Sequence, residues 1–162
     1  DGSAPVLDWS GVVRAVALDL SALIAERSLD FSLETQAAPV QAHEWALREL
    51  SRNLLHNAIK NTPPGSRLAV ALVADGQTAA LTIHDEGPGI SPDLRERLFQ
   101  PFATDHQRTP GVSGSGLGLA ICREIVLSLS GSIDLDNRFH QGRVCGLDAT
   151  VRLPLASSST PA

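Results

Sequence analysis

The chain has 162 residues, of which 43% are hydrophobic, and a formal net charge of −5 at pH 7. This length and composition predict one globular domain with a sizeable core, and the scattered basic residues exclude a nucleic-acid-binding face. No apolar run approaches the ~18 residues of a membrane span, and the N-terminus lacks the basic and apolar segments of a signal peptide.

The chain before Glu44 predicts one helix and two strands. Apolar residues at helical spacing predict a helix over about 9–27, with Asp8 or Ser10 as its N-cap. Residues 31–34 alternate and predict a strand, and a short second strand follows Pro39. The chain enters this pattern without a start methionine, which predicts a piece of a longer protein.

The middle of the chain predicts a long helix followed by a hairpin. Residues 44–60 carry apolar side chains at helical spacing, and Thr62-Pro63-Pro64-Gly65 ends that helix. Residues 68–73 and 79–83 predict two strands joined by a turn at Asp75-Gly76.

The last third predicts two helices, a long loop and two closing strands. Ser91 as N-cap and Pro92 as first helical residue predict a short helix to about Phe99. Residues 100–113 have no period and predict a long loop, of the kind that is usually a functional lid or a disordered segment. A helix over 117–129 ends at Gly131, and strands are predicted over 133–136 and 148–153.

Intermixed helices and hairpins favour a two-layer sandwich with a mixed sheet over a doubly wound parallel one. We predict one domain over residues 1–156 and a small, polar, disordered tail over 157–162. Cys122 and Cys145 show no metal-ligand spacing and predict free, buried thiols.

Two asparagines in register interrupt the apolar pattern of the helix over 44–60. Asn53 and Asn57 are four residues apart and share one helix face, which Lys60, the only lysine of the chain, continues. An amide oxygen can bind Mg²⁺ without adding charge, and a lysine can contact phosphates. The alternative is two solvated amides on a helix surface.

Two glycine clusters predict the two ends of a nucleotide site. Asp85 ends a strand, where its carboxylate can accept a hydrogen bond from an exocyclic amino group, and Gly87 and Gly89 let the backbone come close to a ring. Gly114, Gly116 and Gly118 lead into a helix N-terminus, which suits a polyphosphate. The alternative for Asp85 is an ordinary turn residue before glycine.

Four segments, in this order, resemble the motifs of sensor histidine kinases. Residues 53–60 (NLLHNAIK) resemble the N box, 85–90 (DEGPGI) the G1 box, 98–102 (LFQPF) the F box and 114–121 (GSGLGLAI) the G2 box. The resemblance runs from about Asp8 to Pro154 and is to the catalytic ATP-binding domain. It implies the Bergerat fold of gyrase, Hsp90 and MutL: an α+β two-layer sandwich whose mixed, mostly antiparallel sheet of about five strands packs on three helices.

The resemblance implies ATP and Mg²⁺ as cofactors and assigns roles to residues. Asn57 would coordinate Mg²⁺ with Asn53 beside it, Lys60 would contact the phosphates, and these three would be the catalytic residues. Asp85 would bind the adenine amino group. The other implied ATP-binding residues are Gly87, Gly89, Ile90, Phe102, Gly114, Ser115, Gly116, Leu117, Gly118, Leu119 and Thr150, and Phe99 and Phe102 would anchor the lid.

The family carries its phosphoacceptor, a histidine followed by an acid, on a helix N-terminal to this domain. His43-Glu44 has that dipeptide but is expected at the N-terminus of the helix over 44–60. The implied partners are therefore dimerisation and phosphoacceptor helices of the same protein, absent here, and a response regulator. The fragment is expected to be monomeric, and the parent to be a homodimeric, membrane-bound bacterial sensor that carries this domain in the cytoplasm.

Other members of the fold carry out different chemistry. A conformational ATPase of the gyrase or MutL type places a glutamate base four residues before the Mg²⁺ asparagine, where this chain has Asn53, and Glu49 lies one further turn away. A nucleotide-binding pseudo-kinase remains open, because Asn61 replaces the usual aromatic residue and Ala103-Thr104-Asp105 the usual basic one. A serine-directed kinase of the anti-sigma type shares the fold.

Overall fold

The computed structural model describes residues 3–98 and 115–157. The helices in these ranges are α1 (Trp9–Asp19), α2 (Ser21–Glu26), α3 (Glu44–Asn61), α4 (Pro92–Leu98) and α5 (Ser115–Ser128). The strands are β1 (Val6–Asp8), β2 (Asp30–Thr35), β3 (Pro39–Gln41), β4 (Arg67–Ala74), β5 (Thr78–Asp85), β6 (Ser132–His140) and β7 (Arg143–Pro154). The predicted loop over 100–113 and nearly all of the predicted tail lie outside the described residues.

Five strands form one sheet in the order β2-β4-β5-β7-β6. Only the β2–β4 pairing is parallel, and the other three are antiparallel. Strands β1 and β3 form a separate antiparallel pair. The predicted mixed, mostly antiparallel sheet of about five strands is confirmed.

One face of the sheet is buried beneath helices. Leu68, Val70 and Leu72 alternate in β4 with the half-buried Ala69 and Ala71, as expected for a strand with one covered face. Core residues from α1, α3 and α5 complete the hydrophobic cluster on the covered side. This arrangement is the predicted α+β two-layer sandwich. None of the described helices combines the length and the apolar character that a membrane crossing requires.

The prediction of one continuous helix over 9–27 is wrong. Helix α1 ends at Asp19 and α2 begins at Ser21. Leu20, between them, has φ −97° and ψ 7°, which is not a helical backbone conformation. Val16, Leu20 and Ile24 are all buried and keep a spacing of four across the break. The apolar period therefore could not show it.

The closing strands are longer than predicted and form a hairpin. Strands β6 and β7 meet at a turn in which Gln141 and Gly142 both have positive φ, at 52° and 78°, as a tight hairpin turn requires. Cys145 lies in the exposed part of this hairpin, so the prediction that it is buried is wrong, whereas Cys122 is buried and free as predicted.

Gly131 follows α5, but its role is steric and not conformational. The left-handed residue is Ser130, with φ 60°. A Cβ built on Gly131 would overlap the backbone oxygen of Arg152 and lie 2.7 Å from Cδ2 of Leu153. A side chain here would therefore push α5 away from β7.

We expect Gly131→Ala to lower the free energy of unfolding by about 2–3 kcal/mol, the usual cost of overpacking against fixed backbone. Urea unfolding followed by circular dichroism measures it. Gly11→Ala is the matched control, because nothing lies within 4 Å of a Cβ built at Gly11 in α1, and alanine there should stabilise the helix by about 0.5–1 kcal/mol. Equal effects of the two substitutions would contradict the steric role.

Candidate functional site

Helix α3 brings the three predicted polar residues to one face. Asn53 and Asn57 are half-buried and Lys60 is exposed in the last turn. The opposite face of α3 carries leucines that pack in the core. Each of the three side chains is thus held by a rigid helix and open to a ligand.

Asn53 lies against the beginning of α5. Its Nδ2 donates to the backbone oxygen of Glu49 at 2.9 Å and to Glu49 Oε2 at 3.0 Å. A Cβ built on Gly118 would be 3.4 Å from Asn53 Oδ1. The structure therefore brings the N-box-like and G2-box-like segments together, with a glycine at the point of contact.

Asn57 makes no hydrogen bond to another described residue, so its amide oxygen is free for a ligand. The neighbouring His56 has its pKa lowered, first by burial and then by the charges of Lys60 and Arg52. His56 is therefore neutral at pH 7 and leaves Lys60 and Arg52 as the cations of this part of α3.

Asp85 ends β5 as a buried carboxylate with 3% of its surface exposed. Its Oδ1 accepts from the backbone N–H of Gly87 at 2.8 Å and of Leu147 at 3.2 Å. Burial raises the pKa of Asp85 above its usual value, against the lowering effect of these two bonds and of Arg138. No described residue donates to Oδ2, so one carboxylate oxygen is fixed and the other remains an open acceptor.

The turn after Asp85 touches the far end of α3. A Cβ built on Gly87 would lie 2.5 Å from the backbone oxygen of Asn61. Gly89 has φ +76°, which favours glycine, and Ile90 is buried. Helix α3 therefore contacts Gly118 near its middle and the Gly87 turn at its end, about 12 Å apart at 1.5 Å per residue over eight residues.

Thr150 is the predicted residue that the structure does not bring to this group. It pairs with Thr82, and its neighbours Ala149 and Val151 are buried, so its side chain lies on the face of the sheet opposite the helices. The β7 residue opposite Asp85 is Leu147. The register thus places Thr150 three residues along β7 from the residue opposite Asp85.

The structure describes only some of the remaining predicted residues. Phe99, Phe102 and Gly114 lie outside the described residues. Ser115, Gly116 and Leu117 form the first turn of α5. Leu119 is 7% exposed and belongs to the hydrophobic core, so it anchors the beginning of α5.

Sequence reasoning missed two residues of β6, Asn137 and Arg138. Asn137 hydrogen-bonds both backbone groups of Ile90, and Arg138 donates to the backbone oxygen of Asp85. Both follow the predicted strand over 133–136, in a stretch for which the sequence predicts no secondary structure. Only the pairing register of the β6–β7 hairpin indicates that they lie beside Asp85 and Ile90.

The donor set fits a metal shared with a polyanion better than a metal held by protein alone. In the described ranges no three His, Cys, Asp or Glu side chains cluster to hold an ion. The free Asn57 amide is a hard oxygen ligand of the kind that Mg²⁺ accepts beside phosphates and water. The residues present therefore fit Mg²⁺ bound together with phosphates.

Comparisons with known proteins identify the family. Residues 42–157 match the family described as histidine kinase-, DNA gyrase B-, and HSP90-like ATPase. The sensor histidine kinase RppB of Synechocystis sp. is 33% identical over 132 residues, which cover 80% of this chain and 28% of RppB. The chain thus spans less than a third of that relative.

Solved structures show the same fold. The mycobacterial sensor histidine kinase MprB superimposes with a TM-score of 0.76 at 30% identity, covering 94% of this chain and 97% of that one. Full-length ShkA, solved in complex with AMPPNP, gives 0.76 at 26% identity over 99% of this chain and 33% of its own. ThkA in complex with the response regulator TrrA gives 0.74 at 24% identity, over 94% and 42% of the two chains.

Proposed function

Because the chain belongs to the histidine kinase-, DNA gyrase B- and HSP90-like ATPase family, as the catalytic ATP-binding domain of the sensor histidine kinase type, we propose that it binds Mg-ATP and donates the γ-phosphoryl group to a histidine. That histidine would lie on a dimerisation and phosphoacceptor domain of the same protein. We assign this activity to one domain over residues 1–156.

The observation that carries the proposal is the double contact of α3. One helix carries the phosphate-side residues Asn53, Asn57 and Lys60 and also touches the turn that follows Asp85. Asp85 Oδ2 would accept from the adenine amino group, with Gly87, Gly89 and Ile90 shaping the pocket. The start of α5 would hold the phosphates through the free N–H groups of its first turn.

Catalysis in this site would consist mainly of positioning and charge compensation. Asn57, with Asn53 beside it, would hold Mg²⁺, which when bound neutralises developing charge on the phosphates. Lys60 would add a second cation at the same end. The Glu49 carboxylate, one turn before Asn53, accepts from Asn53 Nδ2 at 3.0 Å, and the Asn53 amide itself cannot take a proton from water.

The acceptor histidine would have to come from elsewhere in the protein. His43 is the N-cap residue of α3 and has the extended backbone of that position. It lies about 21 Å from Asn57 along the helix, at 1.5 Å per residue over 14 residues. His43 would therefore serve as a helix start and not as the phosphoacceptor of its own active site.

A domain of this type would also have a protein partner and a defined cellular location. ThkA was solved with a response regulator, and a domain of this type would pass its phosphoryl group to such a protein through the acceptor histidine. By itself this domain would be a monomer, and as the cytoplasmic part of a membrane-bound sensor it would belong to a homodimer.

A conformational ATPase is the second candidate, and among the described residues Glu49 favours it, since its carboxylate lies beside Asn53. We expect the isolated chain to bind Mg-ATP in a calorimetric titration but to release phosphate at the level of the buffer alone. Glu49→Gln should leave both results unchanged, because a bound carboxylate one turn away from the site is poorly placed to activate water. Steady phosphate release that Glu49→Gln abolishes would overturn phosphotransfer in favour of hydrolysis, and failure of Mg-ATP to bind would overturn both.

A further inference from the structure

Asn137 of β6 holds the turn that contains Gly87 and Gly89. Its Oδ1 accepts from the backbone N–H of Ile90 at 2.8 Å, and its Nδ2 donates to the backbone oxygen of Ile90 at 2.7 Å. The side-chain amide thus pairs with Ile90 as a neighbouring strand would. A Cβ built on Gly89 would overlap Asn137 Oδ1, so this glycine leaves room for the amide.

Arg138, the next residue, reaches the other side of the same turn. Its Nη2 donates to the backbone oxygen of Asp85, and its Nη1 donates to Asp148 Oδ1 at 2.7 Å. Only 23% of the Arg138 side chain is exposed. Asp148, which also contacts His84 Nδ1 at 2.7 Å, holds the guanidinium in place.

Gly146 provides the space for this contact. A Cβ built there would overlap both the guanidinium of Arg138 and the backbone oxygen of Asp85. Asn137, Arg138 and Gly146 belong to none of the four motifs that form the proposed nucleotide site. Together they fix the backbone before the turn, at Asp85, and after it, at Ile90.

We propose, on the basis of the nucleotide site described above, that Asn137 and Arg138 are positioning residues that set the selectivity of this domain for adenine. A glycine-containing turn loses much backbone entropy when it orders. Because β6 already orders it in the free chain, Asp85 Oδ2 is held where an amino group can meet it. Without the two contacts, part of the binding free energy of ATP would be spent on ordering the turn.

The test titrates ATP and GTP calorimetrically, in the presence of Mg²⁺, against the wild type, Asn137→Ala, Asn137→Asp, Arg138→Ala and Arg152→Ala. Thermal unfolding of each is followed by circular dichroism. Arg152 lies on β7, its ion pair with Asp134 is exposed, and it touches no part of the turn, which makes Arg152→Ala the matched control.

We expect Asn137→Ala and Arg138→Ala each to weaken ATP binding about tenfold, the size of one buried hydrogen bond. The ratio of ATP to GTP affinity should fall with it. Asn137→Asp should be intermediate, because a carboxylate still accepts from Ile90 N–H but cannot donate to its oxygen. Arg152→Ala should bind both nucleotides as the wild type does.

A merely structural role would lower the unfolding temperature and leave the ATP to GTP ratio unchanged, and that result for both alanine variants would overturn the proposal. The same result together with a loss of ATP binding in Asp85→Asn would overturn it while leaving the nucleotide site intact. Failure of the wild type to bind ATP would instead overturn the nucleotide site itself, and the positioning role with it.

Discussion

Asp85→Asn should weaken Mg-ATP binding at least about thirtyfold, or ~2 kcal/mol, the contribution of one hydrogen bond to a charged group. The substituted amide can keep its oxygen toward the N–H groups of Gly87 and Leu147, which leaves its Nδ2 toward the ligand in place of Oδ2. Two amino groups would then face each other. GTP, which carries an oxygen at that position of its base, should bind the variant at least as well as ATP does.

Competition titrations with ATP and GTP measure this reversal. Asp134→Asn makes the same chemical change in a half-exposed carboxylate of β6 that pairs with Arg152, and it should leave both affinities unchanged. An Asp85→Asn variant that keeps the wild-type preference for ATP would remove Asp85 from base recognition.

The same substitution should not destabilise the free domain. The folded-state pKa of Asp85 is raised, chiefly by burial, so between the unfolded and folded pKa values the folded chain binds more protons. Stability is therefore lost as the pH rises through the folded pKa. Above the folded pKa the buried charge opposes folding, and asparagine removes it, so the unfolding temperature of Asp85→Asn should there equal or exceed that of the wild type.

Asn57→Ala should weaken ATP binding in the presence of Mg²⁺ by about a hundredfold, the upper end of what losing a partner of a metal site costs. In EDTA, without the metal, the variant and the wild type should bind ATP equally. Alanine is the better helix former, and the Asn57 side chain makes no hydrogen bond to another described residue, so the fold should not suffer.

Calorimetric titration with Mg²⁺ and with EDTA separates the two contributions. Asn61→Ala is the matched control, since it makes the same change four residues along α3 at an exposed side chain, and its ratio of affinities with and without Mg²⁺ should be that of the wild type. A loss of affinity in Asn57→Ala that persists in EDTA would show that Asn57 contacts the nucleotide and not the metal.

The helical part of the site could be predicted from the sequence because its geometry is local. Asn53 and Asn57 share a face of any helix that contains both, and Leu50, Leu54 and Ala58 specify that helix by burial. Asp85 could likewise be placed at a strand end, because the alternating strand before it and the glycines after it are neighbours in the chain.

The parts that depend on strand register could not be predicted in the same way. Leu147, which donates to Asp85, and Thr150, which does not approach it, lie three residues apart in one strand. Nothing local separates them, because only the pairing of β7 with β5 decides which one lies opposite the carboxylate. Asn137 and Arg138 were missed for the same reason, since the turn at Gln141-Gly142 lacks the usual Asn-Gly signal.

Because α3 contacts both Gly118 and the Gly87 turn, its length sets the distance between the two ends of the site. One extra residue between Asn53 and Asn61 would turn everything after it by about 100° and carry Lys60 off the shared face, while the Gly87 turn would lose its neighbour. An extra residue at the exposed Asp75-Gly76 turn, by contrast, would leave both contacts where they are. We therefore expect the domain to tolerate an insertion at the Asp75-Gly76 turn and not between Asn53 and Asn61, because the length of α3 sets the distance from the adenine end to the phosphate end of the site.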